Sequence, residues 1–552
     1  MSKLKSTFYT FTPGASGVGT VNLSGINNFN AKYLLCIINQ TRGIIIYSTG
    51  STTLGYTSIS GKLLTLTFDT SAHNANDILQ VIYEDEYEHS FVKSAFNELI
   101  TVEPTPIFQG DFRSNLVRTR MWSTNIVNGS ITALNGMAVL QTSAAANSYA
   151  SMQSKVPVKY NAGQGAEGRF TAIFSTPQAG SFQLIGLGDF QDGLFVGYSG
   201  TTFGTVRRSP QNNRRAITSI TRSGTTVTVT TTATHSLTTG DIVQITGTSA
   251  TPVAQNNYIG SFVITVTGVN AFTYTCGDSP TSPGTGTYLY DLIVDTFSPA
   301  TSFTDDRLDG NGPSKQLYVP TNGNVFNIDF QYLGFGHIRY SMEESESGQF
   351  FVFNTIDYSN NNTTPSLQNP TLPLYCSVRN TTNTTNLTLK TASMAGFVQG
   401  KNAELGLDPY SATALKTGIT TQAAVLSIQN KRAFNGEINK TRSKMLSMNL
   451  YAEGSGANPV TVRIIRGTTL GGSPSYTDVD TLNSIHAYDT AGTTVTGGEI
   501  LKTYTIARNA PGLTEHELDL NIFINPEEII TISVTTATSV DATCSINWKE
   551  LV

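Results

Sequence analysis

The stretch Leu63-Leu64-Thr65-Leu66-Thr67-Phe68 alternates apolar and polar side chains from Leu64 onwards. Because successive side chains of a β-strand point to opposite faces of a sheet, this period of two predicts a strand with one buried and one solvated face. The same pattern recurs at 225–230, where valines alternate with threonines, and at 384–390, where Leu387 and Leu389 fall on one face. The chain is therefore predicted to be built from strands.

The composition favours the same structural class over all 552 residues. The chain is rich in Thr, Ser, Asn and Gly, only 13% of it is charged, and no pattern predicts a helix longer than about four turns. Its hydrophobic content of 39% is ordinary for a globular protein, and its length predicts roughly three to five domains. We predict an all-β protein with several β-sandwich or jelly-roll domains in tandem and one inserted small β-barrel.

Turn clusters rich in Gly, Pro, Ser and Asn divide the predicted strands into groups. The stretch 84–103 has apolar residues at roughly helical spacing and ends at Pro104 and Pro106, so a short helix and an extended connector both remain open. The predicted units are an N-terminal β-domain (1–86), a connector (87–106), a discontinuous central β-sandwich (107–214 and 291–400), an inserted small β-barrel (215–290) and a C-terminal β-sandwich (401–552).

Charge and hydropathy disfavour two classes of partner. The net charge is -5 and no Lys/Arg run exceeds a pair such as Arg207-Arg208, so binding of nucleic acid by a basic face is not expected. No stretch approaches 18 consecutive apolar residues, and the N-terminus lacks an apolar leader. We expect a protein that is made in a cytoplasm and does not insert into a membrane.

Motifs for catalysis and cofactor binding do not meet their mechanical requirements. The run Gly197-Tyr198-Ser199-Gly200 is one residue short of the G-x-S-x-G elbow, and the residues after it are predicted to form a strand where the elbow needs a helix. The histidines show no paired spacing and are interpreted as isolated residues; they are His73, His89, His235, His337, His486 and His516. The sequence thus predicts no catalytic residue, no cofactor and no metal site.

Two acidic clusters come closest to a site. Asp305, Asp306 and Asp309 precede a Gly-Asn-Gly turn, but their spacing does not match an EF-hand, so a turn held by Asx hydrogen bonds is favoured over a calcium site. The other cluster, around 343–346, contains three glutamates and is more typical of a solvated loop than of the paired carboxylates of a glycosidase. A polysaccharide depolymerase stays open, because its two acids need not be close in sequence.

A resemblance to known proteins covers residues 94–400. The segments that carry it are 94–96, 164–174, 185–189, 193–204, 309–314, 324–326, 330–336, 362–367 and 369–370. In these segments the region resembles a family of virion structural proteins of tailed bacteriophages and large DNA viruses, described as tail-fibre or capsid-associated proteins. Residues 1–86, with Phe11-Thr12-Pro13-Gly14 and Val21-Asn22-Leu23, look like an N-terminal adaptor of such proteins. The resemblance implies a role in the particle and brings no catalytic residues.

Two functions from different classes follow. The first is a non-enzymatic structural component of a virus particle, at the tail, baseplate or fibre, acting in assembly and host attachment with other virion proteins. Fibre proteins of this kind are usually trimers, so a homo-oligomer is expected. The alternative is a carbohydrate-binding or carbohydrate-cleaving adhesin that meets a host surface glycan, since exposed aromatic rings stack on sugars. The candidate glycan contacts are Tyr410, Tyr451, Tyr476 and Tyr488.

Overall fold

The computed structural model describes residues 3–5, 9–15, 17–24, 29, 31, 34–83, 104–248, 258–277, 282–400, 408–509, 513–516, 520 and 522–551. Most of the regular structure in these residues is β-strand, arranged in antiparallel sheets, and a short 3-10 turn covers Ala300–Ser302. The all-β prediction is confirmed. The alternative of a helix at 84–103 lies outside the described residues.

The N-terminal unit is a sandwich of two four-stranded sheets, with strand orders β1-β8-β4-β5 and β2-β3-β7-β6. Leu64 and Leu66 are fully buried in its apolar core, as the alternation in this stretch requires. Its strands are β1 (Lys3–Lys5), β2 (Thr10–Gly14), β3 (Gly17–Asn22), β4 (Leu34–Asn39), β5 (Ile44–Ser48), β6 (Tyr56–Ser60), β7 (Leu63–Asp69) and β8 (Leu79–Tyr83).

The central unit is a larger sandwich in which strands from before and after residues 215–290 share both sheets. These strands are β9 (Thr105–Asp111), β10 (Trp122–Val127), β11 (Gly129–Leu134), β12 (Met137–Thr142), β13 (Tyr149–Ser154), β14 (Gly165–Phe174), β15 (Ser181–Gly188), β16 (Gly193–Ser199), β17 (Thr202–Pro210), β24 (Thr287–Pro299), β25 (Asn324–Gln331), β26 (Ile338–Glu343), β27 (Phe350–Ile356), β28 (Leu374–Asn380), β29 (Thr388–Thr391) and β30 (Ser393–Val398). One sheet has the order β10-β13-β28-β15-β16-β17-β24, and the other has β11-β12-β29-β14-β25-β26-β27, with β30 beside β14 and β9 beside β30.

The two central sheets enclose one aromatic-rich core, in which rings such as Phe170, Phe326 and Tyr340 are buried. Polar contacts also cross between the sheets: Tyr340 Oη donates to the carbonyl of Val206 at 3.3 Å, and Asn354 Nδ2 donates to Thr205 Oγ1 at 2.8 Å. These buried hydrogen bonds fix the position of one sheet relative to the other.

A smaller barrel shares one strand, β24, with the central sandwich. Its other strands are β18 (Arg215–Ser223), β19 (Thr226–Thr231), β20 (Ile242–Thr248), β21 (Gly260–Val263), β22 (Thr265–Gly268) and β23 (Ala271–Thr275). The first half of β24 pairs with β18 and β20, and its second half pairs with β17 of the central sandwich. The order β21-β20-β24-β18-β19-β23-β22 begins and ends with strands that are contiguous in the chain, so the sheet curls around a single core.

The C-terminal unit is a sandwich whose sheets have the orders β31-β45-β35-β42 and β38-β39-β32-β44-β36-β41. Along β45 the even-numbered residues from Val540 to Glu550 are buried, and the odd-numbered residues are at least partly exposed. The strands are β31 (Tyr410–Ile419), β32 (Ala423–Asn430), β33 (Ala433–Phe434), β34 (Glu437–Ile438), β35 (Ser443–Glu453), β36 (Val460–Arg466), β37 (Thr469–Leu470), β38 (Thr477–Asp478), β39 (His486–Asp489), β40 (Val495–Thr496), β41 (Glu499–Ile506), β42 (Leu513–His516), β43 (Phe523–Ile524), β44 (Ile529–Thr535) and β45 (Val540–Glu550).

In the part of the chain that the structure describes, no helix is long and apolar enough to cross a membrane.

Candidate functional site

The four candidate glycan-contact tyrosines are distributed over both sheets of the C-terminal sandwich. Tyr410 begins β31, where its ring stacks on the buried Trp548 at 6.3 Å and its hydroxyl donates to the carbonyl of Asn483 at 3.0 Å. Tyr451 pairs with Thr543 on the outer face of the same sheet and is 40% exposed. Tyr410 therefore borders the core, whereas Tyr451 faces solvent.

The other two tyrosines belong to the opposite sheet. Tyr488 lies in β39 and packs against the core of the sandwich. Tyr476 comes directly before β38, which pairs with β39 at Thr477 and Tyr488. Burial, together with the negative charge of Asp489, raises the pKa of Tyr476. The structure thus brings Tyr476 and Tyr488 near each other but separates them from the exposed Tyr451, so the four rings do not line one groove.

A buried chain of hydrogen bonds in the C-terminal sandwich has the layout of a Ser-His-acid triad. Ser443 Oγ lies 2.9 Å from Nε2 of His486, and Nδ1 of His486 lies 3.0 Å from Oε1 of Glu550. Glu550 also accepts hydrogen bonds from Ser484 Oγ at 2.6 Å and from the amide of Ile485 at 3.2 Å. The sequence-based interpretation of His486 as an isolated residue is therefore wrong.

The ionisation of this triad follows from its surroundings. Burial lowers the pKa of His486, although the hydrogen bond and charge of Glu550 oppose this effect. Burial alone would raise the pKa of Glu550, but the hydrogen bonds from His486 and Ser484 outweigh it and lower that pKa. At neutral pH the ring is thus neutral and the carboxylate is charged, so Nδ1 carries the proton and Nε2 accepts from Ser443.

The position of the triad decides what it can do. Ser443, His486 and Glu550 are all fully buried, and the ring of Trp548 lies 5.2 Å from that of His486. A nucleophilic serine must reach the carbonyl of a substrate beside donors that stabilise the oxyanion, and a hydroxyl sealed in a sandwich core cannot do so. The arrangement instead satisfies buried polar groups and ties β35, β39 and β45 together.

We expect Ser443 to resist an active-site probe in the native protein. Treatment of the native chain with an alkyl fluorophosphonate should give no adduct on Ser443, since the hydroxyl is not accessible to the reagent. The measurement is peptide mass spectrometry, with a known serine hydrolase as the positive control. Labelling of Ser443 that is abolished in His486→Ala would contradict the structural interpretation and indicate a hydrolase.

A second buried charge cluster joins the C-terminal sandwich to the central one. Lys440, between β34 and β35, places its ammonium 2.8 Å from Asp189 and 3.6 Å from Asp192, both in the turn between β15 and β16. Asp192 is fully buried and also accepts from the amides of Gln368 and Asn369, at 2.7 and 3.2 Å. Burial raises the pKa of Asp192 to about 6, against the charge of Lys440. The carboxylates of this turn therefore bind a cationic side chain that another domain supplies.

The hairpin formed by β33 and β34 extends the same junction onto the small barrel. Ala433 is buried within the barrel's core cluster, and the amide of Gly247 donates to the carbonyl of Gly436 at 3.0 Å. Gly436 has φ +79, and a Cβ there would meet the Gly247 carbonyl oxygen at 3.1 Å, so glycine allows this close approach. Arg214 adds two hydrogen bonds to Glu437.

The acidic loop at 305–314 is held by its own carboxylates. Asp306 accepts from the backbone amides of Leu308 and Ser314, at 2.8 and 2.9 Å, and Asp309 accepts from Asn311 at 2.9 Å. The bonds to Leu308 and Asn311 are Asx-type contacts, which agrees with the interpretation favoured from the sequence, and the bond from Ser314 closes the loop.

The three glutamates around 343–346 lie at the end of β26 and in the turn that follows it. Glu344 accepts a hydrogen bond from Ser347, and its amide donates to the carbonyl of Gln349 at 2.8 Å. Glu346 is exposed. Among the residues that the structure describes, no group of three or more His, Cys, Asp or Glu side chains is placed to hold a metal ion.

Comparison with known proteins yields only remote likenesses. No protein-family model and no curated protein matches the chain. Among solved structures, a protein from work on the triple jelly roll fold and turret assembly of an archaeal virus is 8% identical, with 78% of this chain and 90% of that chain covered and a TM-score of 0.17. A chain from the atomic structure of Sulfolobus turreted icosahedral virus is also 8% identical, with 78% and 91% covered and a TM-score of 0.16. At such TM-scores neither likeness supports a conclusion about this chain.

Proposed function

We propose that this chain is a non-enzymatic structural component of a virus particle, acting in assembly and host attachment at a tail, baseplate or fibre. The observation that carries the proposal is the ion-pair cluster in which the ammonium of Lys440 contacts Asp189 and Asp192. Domains of one chain move relative to each other by default, unless their interface prevents it. The ion pairs of Lys440 with two carboxylates oppose such motion between the central and C-terminal sandwiches. A protein that maintains the shape of a particle needs its domains held in this way.

Three further features agree with this role. The chain is poor in charge, its described residues form stacked sheets, and the triad-like cluster in the C-terminal sandwich is closed to substrates. The segments that resemble virion proteins include 185–189, which contains the Lys440 partner Asp189, and 193–204, which directly follows the other partner, Asp192. Large, repeated contacts between copies give a particle protein its stability, so a homo-oligomer, with a trimer favoured, belongs to the proposal.

The proposal predicts that the protein is a stoichiometric part of virions. Quantitative mass spectrometry of purified particles should find it at a fixed multiple of other tail or capsid components, because particle proteins assemble with defined symmetry. Light scattering of the purified full chain should give the mass of an oligomer, three times 59.3 kDa for a trimer. A monomeric chain that is absent from purified particles would overturn the proposal.

A further inference from the structure

A groove lies on the central sandwich, away from the four tyrosines. It occupies about 430 Å³ over the outer face of β11, β12, β29 and β14. Its lining residues are Thr132, Leu134, Asn135, Met137, Val139, Gln141, Ile173, Phe174, Ser175, Thr321, Thr388 and Lys390. This volume is within the range of sites that hold small organic ligands.

The register of the four strands places the groove's side chains in ordered rows. Thr132 is opposite Val139, Val139 is opposite Lys390, and Lys390 is opposite Ile173. The groove therefore has an aliphatic floor with hydroxyl, amide and ammonium groups around it. Cross-strand neighbours on one face stand about 5 Å apart, which keeps these groups within reach of one ligand.

Recognition on the face of a sheet has to come from side chains. The strands β12, β29 and β14 pair with neighbours on both sides, and the unpaired backbone groups of the edge strand β11 lie in the plane of the sheet. An extended peptide lying on this face would therefore find no backbone partners there. Hydroxyl and amide side chains both donate and accept, as sugar hydroxyls do. Gln141 already donates to Thr388 Oγ1 at 3.1 Å, which orients its amide across the groove.

The charge of the groove narrows the class of sugar. Lys390 is the one ionisable residue among those that line it, and within the described chain its ammonium has no ion-pair partner. An unpaired cation flanked by aliphatic side chains is best satisfied by an anion on the ligand. Phe174 is 1% exposed, so selectivity has to rest on hydrogen bonds and this charge, with little contribution from ring stacking.

We propose that this groove binds an acidic oligosaccharide, with Lys390 contacting a carboxylate or sulfate group of the sugar. The proposal rests on the attachment role proposed for the chain and assigns part of that role to the central sandwich.

The test starts with the purified full chain on an array of oligosaccharides that carry uronic acid, sialic acid or sulfate, each beside its neutral counterpart. The strongest acidic binder is then titrated by calorimetry against wild type, Lys390→Gln and Thr132→Trp. We expect Lys390→Gln to lower the affinity for the acidic sugar about tenfold or more and to leave the affinity for its neutral counterpart unchanged. Thr132→Trp fills the groove and should abolish binding. Lys502→Gln, which removes the same charge from β41 of the C-terminal sandwich, is the matched control.

The outcomes separate this inference from the proposed function. If no acidic oligosaccharide binds, or if Lys390→Gln and Thr132→Trp leave its binding unchanged, the groove does not have this role. Particles carrying Lys390→Gln should still contain the protein in normal amount, measured by mass spectrometry. Loss of the variant protein from those particles would contradict a role of Lys390 in sugar binding and indicate a role in assembly. Absence of the wild-type chain from particles would instead contradict the proposed structural function.

Discussion

Replacing Lys440 with alanine is expected to loosen the C-terminal sandwich from the central one. The substitution leaves the buried carboxylate of Asp192 and the partly buried carboxylate of Asp189 without their cation, and removing one partner of a buried pair typically costs about 3–5 kcal/mol. The loss should appear as faster hydrogen exchange in the amides of Gln368 and Asn369, which donate to Asp192. Small-angle scattering should show a larger radius of gyration.

An exposed ion pair across the same boundary provides the control. Arg120 pairs with Glu499, and the Arg120 side chain is 72% exposed. Because exposed pairs contribute only about 0–1 kcal/mol, Arg120→Ala should change neither exchange nor scattering measurably. Equal effects of Lys440→Ala and Arg120→Ala, or no effect of either, would show that the junction does not depend on the buried charge.

Replacing Glu550 with alanine is expected to destabilise the C-terminal sandwich by roughly 3 kcal/mol or more. The change leaves buried donors on His486, Ser484 and Ile485 without an acceptor, and each such group costs about 1–3 kcal/mol. In a Trp122→Phe background Trp548 is the one remaining tryptophan, so its fluorescence reports denaturant unfolding of this sandwich. A shift in midpoint no larger than that of an exposed-site variant would contradict a buried network.

The same cluster makes the sandwich sensitive to acid. The pKa of His486 is lowered in the folded state, so the unfolded chain takes up a proton first and stability falls as the pH drops below about 6.5. The pKa of Glu550 is also lowered, and stability falls further as the pH drops below about 4.5, where the unfolded carboxylate is protonated first. His486→Asn should flatten the first part of this dependence. His337→Asn, at an exposed histidine paired with Asp357, should leave it unchanged.

The strand content of the chain could be predicted because it depends on local periodicity. Leu64 and Leu66 point inward as the alternation requires, and asparagines such as Asn128 and Asn135, with φ of 49° and 53°, make the turns at either end of β11. In contrast, Ser443, His486 and Glu550 come from three strands that are not consecutive, and no spacing in the sequence links them. The histidine appeared isolated because its partners become neighbours only through pairing of distant strands.

The groove on the central sandwich also could not be predicted from local sequence patterns. Alternation marks Thr132, Val139 and Lys390 as residues of one face of their own strands, but it does not say which strands are neighbours. Ring chemistry alone marks Tyr410 and Tyr488 as candidate sugar contacts, but their packing against the core makes them border residues of the sandwich.

Strand content, the position of many turns and the inward-facing side chains of clearly alternating strands follow from local sequence, because a period of two and the backbone freedom of Gly and Asn act over a few residues. Folding of the whole chain was needed to bring Lys440 to Asp189 and Asp192, to join Ser443, His486 and Glu550 in one buried chain, and to form a groove from four outer strand faces. These contacts join residues tens to hundreds of positions apart, and the order of strands in a sheet is set by the packing of the whole core, which no local pattern encodes.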